Sequence, residues 1–428
     1  MFASLKVRDY RYLWAGILSS AFALNMQTVA QGWLVYEMSS SAMDLTWVTL
    51  AFFLPQVLFA LPGGVIADRL PKKPILVWAP VVNGMTTAAM ALIIMFGDVS
   101  FWHFVGLGLL LGTMMALSLP GRIAMIPEIV GQELVFNAMA FSQTSWNLSR
   151  VLGPLLAGFM IAIFADGDTS STRGVGLVFF VLTGLYMVSA VSVLFVSHSG
   201  EPAADRKPSH PLQEMKEGIS YVVNSPVVGG LILLSILPFL FGLIVNTLLP
   251  AFSTDVLEGG PDDLGLLVTG MGGGAILGSL ALAKMGGARN KGYLLIASGS
   301  LWGALIAVFA LTTSFALSVA AIAGVGFMSA ANMSMNRSLL QLQTERRMRG
   351  RIMSIDLMSH GLMPLGALPI GFIADTFSVS AGIFSAGILL CLSTLLVGGM
   401  LGQVRGIDLG HSPAAERSPS AGASKSPG

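Results

Sequence analysis

The chain has 428 residues, 54% of them hydrophobic and only 11% charged, with a mean hydropathy of +0.77. A soluble domain carries roughly 25% charged residues, so this composition excludes a water-soluble globular protein and points to an integral membrane protein. The net charge of +1 names no partner, and a single cysteine, Cys391, excludes an intrachain disulfide framework.

The N-terminus carries Lys6 and Arg8 before a long apolar run that lacks a short h-region and a small-residue cleavage site. It reads as a cytoplasmic leader into a retained first span. At about 20 apolar residues per crossing, twelve spans follow, starting near residues 12, 44, 74, 101, 135, 174, 226, 264, 292, 314, 352 and 378. No strand pattern competes, so the expected fold class is an all-α membrane protein. Connections are short except for 198–225, rich in Pro, Ser and charge, and a Ser/Pro/Gly/Ala-rich tail. The expected organisation is a six-helix bundle over 1–197, a cytoplasmic linker over 198–225, a second six-helix bundle over 226–401 and a disordered cytoplasmic tail over 402–428.

Orientation follows from the loop charges. With the N-terminus in the cytoplasm, Lys72, Lys73, Arg122, Lys216, Lys291, Arg337, Arg347, Arg349 and Arg351 all fall on the cytoplasmic side, whereas Asp44, Asp98, Asp255, Asp262, Asp263 and Asp375 fall opposite. The positive-inside rule thus places both termini in the cytoplasm. The halves echo each other at an offset of 213 to 215: Arg122 on Arg337, Gln31 on Asn246, and Gly158-Phe159 on Gly371-Phe372. Such an echo suits two bundles related by an axis along the membrane normal, with a substrate site between them near mid-depth.

The segment from Gly63 to Pro74 packs an Asp and three cations into six residues, Asp68 to Lys73, which excludes it from hydrocarbon and makes it a surface turn. Its pattern G-x-x-x-D-R-x-x-K-K resembles the loop between helices 2 and 3 of the major facilitator superfamily, usually G-x-x-x-D-R-x-G-R-[KR]. Pro71 and Lys72 depart from that form, stiffening the turn and removing a bidentate donor. Gly64, Asp68, Arg69, Lys72, Lys73 and Arg122 are therefore expected to form a cytoplasmic latch, with Asp68 facing Arg122 or the N-terminal dipole of span 11. Span 5 reads Ala140-x8-Ser149-x3-Gly153-Pro154-x2-Ala157-Gly158, which is similar to the antiporter motif of the superfamily. Gly153, Pro154 and Gly158 are the expected hinge, with Gly270, Gly272, Gly273, Gly274 and Gly278 of span 8 as the matching smooth surface. The runs W-L-V-Y-E-M-S-S-S, Pro127-Glu128, N-A-M-A and S-R-V-L-G-P-L-L-A-G look like the branch holding bacterial siderophore exporters of the enterobactin type and macrolide efflux proteins.

Amides within the spans, Asn25, Gln27, Gln31, Asn246, Asn332 and Asn336, are costly in lipid unless they meet protein or water. Helix–helix bonding, worth about 0.6 kcal/mol on average, would explain each of them. The resemblance implies instead that spans 1, 4, 7 and 10 line a central cavity, which would put these amides on the transport path among Met and aromatic side chains suited to apolar cargo. Gln143, Asn147 and Arg150 follow i, i+4, i+7 spacing and are expected to line the same cavity, where Arg150 would suit an anionic group.

The five histidines have no ligand spacing and no phosphate-binding loop is present, so no metal, cofactor or ATP-driven step is expected, and the chain is not read as an enzyme. Many proton-coupled drug exporters carry an Arg early in span 4, but Phe104 to Ala116 holds no ionisable residue. At offset 213, Gln143 and Asn147 fall on Asp356 and His360, four residues apart on span 11. That pair is the expected proton-coupling site; the alternative is that Asp356 caps span 11 or pairs with Arg351. The resulting expectation is a monomeric secondary transporter of the bacterial cytoplasmic membrane, with the major facilitator fold and alternating access. It would export a hydrophobic or amphipathic small molecule (drug, siderophore or metabolite) against protons, with the lipid bilayer as its surroundings and no nucleic-acid partner. A lysophospholipid flippase and a non-transporting membrane sensor are the alternatives.

Overall fold

The computed structural model describes residues 3–59, 70–131, 133–164, 172–201, 211–284, 290–345 and 347–407. The first half comprises α1 (Arg8–Ser39), α2 (Ala42–Leu58), α3 (Lys72–Phe96), α4 (Phe101–Val130), α5 (Val135–Phe164) and α6 (Thr172–Leu194). A connecting helix, α7 (Pro211–Asn224), leads into α8 (Pro226–Leu237), which passes through a π turn (Pro238–Gly242) into α9 (Ile244–Asp255). Then follow α10 (Pro261–Lys284), α11 (Lys291–Ala310), α12 (Phe315–Gln343), α13 (Arg349–Met358), a 3-10 turn (Ser359–Leu362), α14 (Met363–Thr376), α15 (Val379–Met400) and the short α16 (Gly402–Arg405).

Among the described residues, nine helical runs are long and apolar enough to cross a membrane, α8 to α9 counting as one, and Ala42–Leu58 and Leu365–Thr376 are shorter apolar helices. The first expected span is the 32-residue α1, which opens with Arg8 and Asp9. No strand occurs among the described residues. Polar side chains end the helices where the sequence turns. Ser41 accepts the Asp44 N–H at 3.2 Å to start α2, and Ser378 accepts the Ala381 N–H at 3.1 Å to start α15. Gly131, at φ +72°, releases the chain from α4 in a conformation that favours glycine.

Each half packs internally, α1 against α5 and α6 in the first, α10 against α12 and α11 against α15 in the second. The halves meet through α5 with α10, α2 with α14, and α1 with α9. Within the expected linker, α7 lies on α13: Glu217 bonds Arg351 at 2.7 Å, and a Cβ at Gly218 would stand 2.9 Å from Ile355. Ordered packing continues into the expected tail as far as residue 407, because Val404 and Ile407 are buried apolar side chains and Ile407 O accepts the Gly292 N–H at 3.4 Å. Residues 408–428 lie outside the described residues.

Candidate functional site

The two ends of the molecule differ in chemistry. One carries Asp44, Asp255, Asp262, Asp263 and Asp375, the other Lys72, Lys73, Arg347, Arg349 and Arg351. The halves are locked together at the acidic end. Tyr36 of α1 donates to Asp255 of α9 at 2.5 Å, and the Ala42 N–H at the start of α2 donates to Asp375 of α14 at 3.0 Å. Deeper in, Thr49 donates to Thr247 at 3.4 Å. Close backbone approach reinforces this seal: a Cβ at Gly32 would lie 2.9 Å from Pro250, and one at Gly371 2.4 Å from Thr46.

The α5–α10 crossing is tightest on the acidic side and opens toward the basic end. A Cβ at Gly158 would come within 2.3 Å of Pro261 O and 3.1 Å of Gly265 Cα, and one at Gly265 within 2.8 Å of Pro154 O. Midway, Thr269 donates to Val151 O at 3.0 Å. Toward the basic end, Met139 on α5 and Ile276, Leu277 and Leu280 on α10 are exposed. Two sequence expectations are refined here. Gly153 faces α1, where a Cβ would meet Asn25 Cβ at 3.0 Å, and not α10. Of the five span-8 glycines only Gly272 meets α5, at Val151, because Gly270, Gly274 and Gly278 recur every four residues on the face that packs on α12. Gly265, absent from that expectation, is the true partner of Gly158.

On the helices where the halves meet, a few polar side chains are left exposed or half-buried. In α9 every residue from Ile244 to Ser253 is buried except Asn246, whose amide donates to Leu243 O at 3.1 Å. A helix enclosed on all sides can expose one residue only toward an internal space. The π turn before it, closed by Leu243 N–H to Pro238 O at 2.9 Å, sets that register, and such bulges recur at functional sites. On α1, Gln27 is buried and donates to Gln31 at 3.0 Å, while Gln31 is half-buried and Thr28 exposed. On α5, Arg150 is exposed, as are Leu148, Leu152, Phe159 and Ile163. At about 100° per residue those four apolar side chains lie on the face of α5 opposite Arg150. With Ser149 and Gly153 against α1, and Val151 and Gly158 against α10, Arg150 points between the halves. Gln143 donates to Asn147 at 3.4 Å on the same stripe.

The other candidate residues take different places. Asn25 ties α1 to α5 by donating to Ser149 at 3.1 Å. Asn332 donates to Leu295 O and Ser298, each at 2.9 Å, and Asn336 donates to Leu231 O at 3.1 Å, so both are buried helix ties. Asp356 is wholly buried, and its partners are Ser235 of α8 and Arg337 of α12, whose Nε stands 3.4 Å away. Asp356 is thus held by Ser235 and Arg337, and the side chain of its expected partner, His360, lies outside the described residues. Arg351 is taken by Glu217. Ser235, Asn336 and Arg337 line a small cleft in this half.

Of the expected latch, Gly64, Asp68 and Arg69 lie outside the described residues. Lys72 is 5% exposed, bonded to Glu128 at 2.9 Å and to the carbonyls of Gly200 and Glu201 at 3.3 and 3.2 Å. The Lys73 N–H donates to Ser199 O at 3.2 Å. Glu128, which also meets His198 at 3.3 Å, was visible in the sequence only as part of Pro127-Glu128. Arg122 lies inside the first half, in a small cleft with Ser20, Asn83, Ser118 and Tyr186.

Residues 1–415 match the transmembrane secretion effector family. The enterobactin exporter EntS of Shigella boydii serotype 18 is 27% identical over 290 residues, covering 68% of this chain and 67% of that protein; EntS of Escherichia coli O139:H28 gives the same figures. Among solved structures, the nucleoside transporter NupG aligns with a TM-score of 0.72 at 10% identity, covering 92% of this chain and 98% of that one. A D-xylose–proton symporter aligns at 0.71 and 14% identity over 95% and 99% of the two chains. An inward-facing bacterial homologue of the lysosomal transporter Spinster aligns at 0.64 and 15% identity over 93% and 95%. At these identities the structural likeness shows the fold, that of the major facilitator superfamily.

Proposed function

The chain belongs to the transmembrane secretion effector family of major facilitator transporters, and on that premise we propose that it exports a hydrophobic or amphipathic small molecule by alternating access, driven by protons. The observation that carries this reading is that the halves are bonded to each other at the acidic end, while Asn246, Arg150, Met139 and Ile276 on helices that meet across the halves remain exposed. Asn246, Gln31, Asn147 and Arg150 supply a few fixed polar groups to a space with apolar walls, as small-molecule sites generally do. In this reading the basic end is cytoplasmic by the positive-inside rule, so the present state faces inward. The halves correspond to 1–197 and 226–401, and the protein acts as a monomer. The coupling carboxylate is Asp356, buried against Arg337 beside the cleft, since intramembrane ionisable pairs mark ion pathways. The kinship with enterobactin exporters, together with Arg150, favours a cargo with an anionic aromatic part.

Proteoliposomes loaded with fluorescein test the reading. An acidic exterior should accelerate dye loss, and removal of the pH difference should abolish the acceleration. Exchange of a labelled lysophospholipid between leaflets without dye loss would point to a flippase, and neither activity to a sensor.

A further inference from the structure

Helical spacing puts Ala140, Thr144, Val151 and Gly158 on one face of α5, at steps of four, seven and seven residues. On α10 it puts Gly265, Gly272, Ile276 and Ser279 on one face, at steps of seven, four and three. The two faces are turned toward each other, since Gly158 meets Gly265 and Val151 meets Gly272. Burial changes along this seam. Gly158, Gly265 and Gly272 are buried, whereas Thr144 and Ala140 on α5 and Ile276 and Ser279 on α10 are exposed. Residues that share a face with buried ones lose their cover where the partner helix moves off, so α5 and α10 diverge on the basic side of the Val151–Gly272 contact. The uncovered stretch of α5, from Val151 to Ala140, is about 16 Å long, close to one leaflet of a hydrocarbon core about 30 Å thick.

Two further observations say what fills the opening. Its lips carry no charge, and both of their hydroxyl protons are spent on their own helices: Thr144 donates to Ala140 O at 2.9 Å and Ser279 to Ala275 O at 3.0 Å. What the lips offer a neighbour is the apolar surface of Ala140, the Thr144 methyl and Ile276. The opening is also continuous with exposed leucines beside it, Leu148 and Leu152 on α5 and Leu277 and Leu280 on α10, which membrane-spanning helices turn to the bilayer. Gln143, Asn147 and Arg150 stand on the opposite flank of the same α5 face. An apolar opening that adjoins lipid at bilayer depth takes up hydrocarbon in preference to water. We propose that the α5–α10 seam is a lateral slot occupied by the hydrocarbon chain of a lipid from the basic-end leaflet, and that cargo with an apolar tail follows the same path to the polar stripe. Occupancy by the chain stands on its own; the use of the slot as an entrance for cargo rests on the transport reading.

Spin labels on the full-length protein in phospholipid nanodiscs, in a Cys391→Ser background, test the proposal through their collisions with oxygen, which concentrates in hydrocarbon, and with a water-soluble nickel complex. Labels at Thr144→Cys and at Ile276→Cys should meet oxygen as often as a label at Leu152→Cys on the bilayer face. Both should be shielded from the nickel complex, which reaches a label at the exposed Gln213→Cys. Ala140→Trp fills the slot from the α5 side, so it should cut the oxygen collisions of the Ile276 label and leave those of the Leu152 label unchanged. Contact of the two seam labels with nickel in place of oxygen would overturn the proposal, the opening then being an arm of a water-filled space. Shielding from both reagents would overturn it as well, the seam then being shut, and so would unchanged collisions at Ile276 in Ala140→Trp. Oxygen contact at both labels in a protein whose liposomes lose no fluorescein would sink the transport reading and leave the lipid slot standing; proton-driven fluorescein loss with both labels shielded would do the reverse.

Discussion

Tyr36 on α1 and Asp255 on α9 are joined by a 2.5 Å hydrogen bond that crosses from one half of the molecule to the other at the acidic end. Any opening at that end must break it. A hydrogen bond to a charged group contributes about 1.5–3 kcal/mol, so Tyr36→Phe should shift the balance between the two access states toward opening at the acidic end by about tenfold or more. In a Cys391→Ser background, a Thr49→Cys probe should then react faster with a membrane-impermeant maleimide added on the acidic side. Equal labelling rates with and without Tyr36→Phe would show that the bond does not hold the seal.

The Asp356–Arg337 pair makes a second, opposite demand. Arg337→Gln leaves a wholly buried carboxylate with Ser235 as its remaining partner and should destabilise the protein by about 3 kcal/mol, the low end for a broken buried pair because Arg337 is partly exposed. Asp356→Asn in the same chain should restore most of the lost melting temperature. Asp356→Asn alone should fold, exchange fluorescein down its gradient and lose uphill export. Uphill export at the wild-type rate would remove Asp356 from coupling.

Much of the fold was legible because hydropathy and charge act locally. The apolar runs marked the helices, nine of them of crossing length among the described residues, and the side on which each cation falls is a property of the loop that holds it. The helical period put Gln143, Asn147 and Arg150 on one stripe of α5, but which neighbours flank that stripe depended on the packing of α1 and α10. What the sequence did not disclose were meetings between distant segments. Asp356 was visible as an intramembrane acid, yet the partners that hold it, Ser235 and Arg337, lie on other helices. Gly265 was overshadowed by the denser glycine run that serves α12. The π turn at Pro238 depends on how α14 packs against it, where a Cβ at Gly366 would fall 1.8 Å from Leu240 O, and no local pattern announces that.

The glycines of α5 and α10 separate by the contact each one makes. Gly158→Ala and Gly265→Ala each force apart two backbones that belong to different halves, since the added Cβ would lie 2.3 Å from Pro261 O and 2.8 Å from Pro154 O respectively. Both should cut transport sharply while each half stays folded. Gly274→Ala instead drives a Cβ to 1.9 Å from Ala323 O within the second half and should lower the melting temperature. Gly273→Ala meets nothing within 4 Å and should be neutral for export and stabilising by about 0.5–1 kcal/mol, the usual gain from replacing a helical glycine. A Gly273→Ala variant as inactive as Gly158→Ala would refute the assignment of the α5–α10 contact as the moving joint.

Asn246 and Asn332 are both amides within expected spans, and their surroundings assign them opposite roles. Asn246 is the exposed residue of an otherwise enclosed helix segment, and its amide makes one bond, to Leu243 O on its own chain turn. Its oxygen is free to meet cargo. Asn332 is 4% exposed and spends its amide on Leu295 O and Ser298 of α11, so it holds α12 to α11. Asn246→Ala should therefore raise the KM for fluorescein efflux with little change in kcat or melting temperature, since removing one hydrogen bond to bound cargo costs about 1 kcal/mol and about fivefold in affinity. Asn332→Ala removes two bonds from a buried helix contact, so it should lower stability by about 1–2 kcal/mol and leave KM alone in the protein that remains folded. If Asn332→Ala raised KM and Asn246→Ala lowered only the melting temperature, the cleft would have to be redrawn around α12.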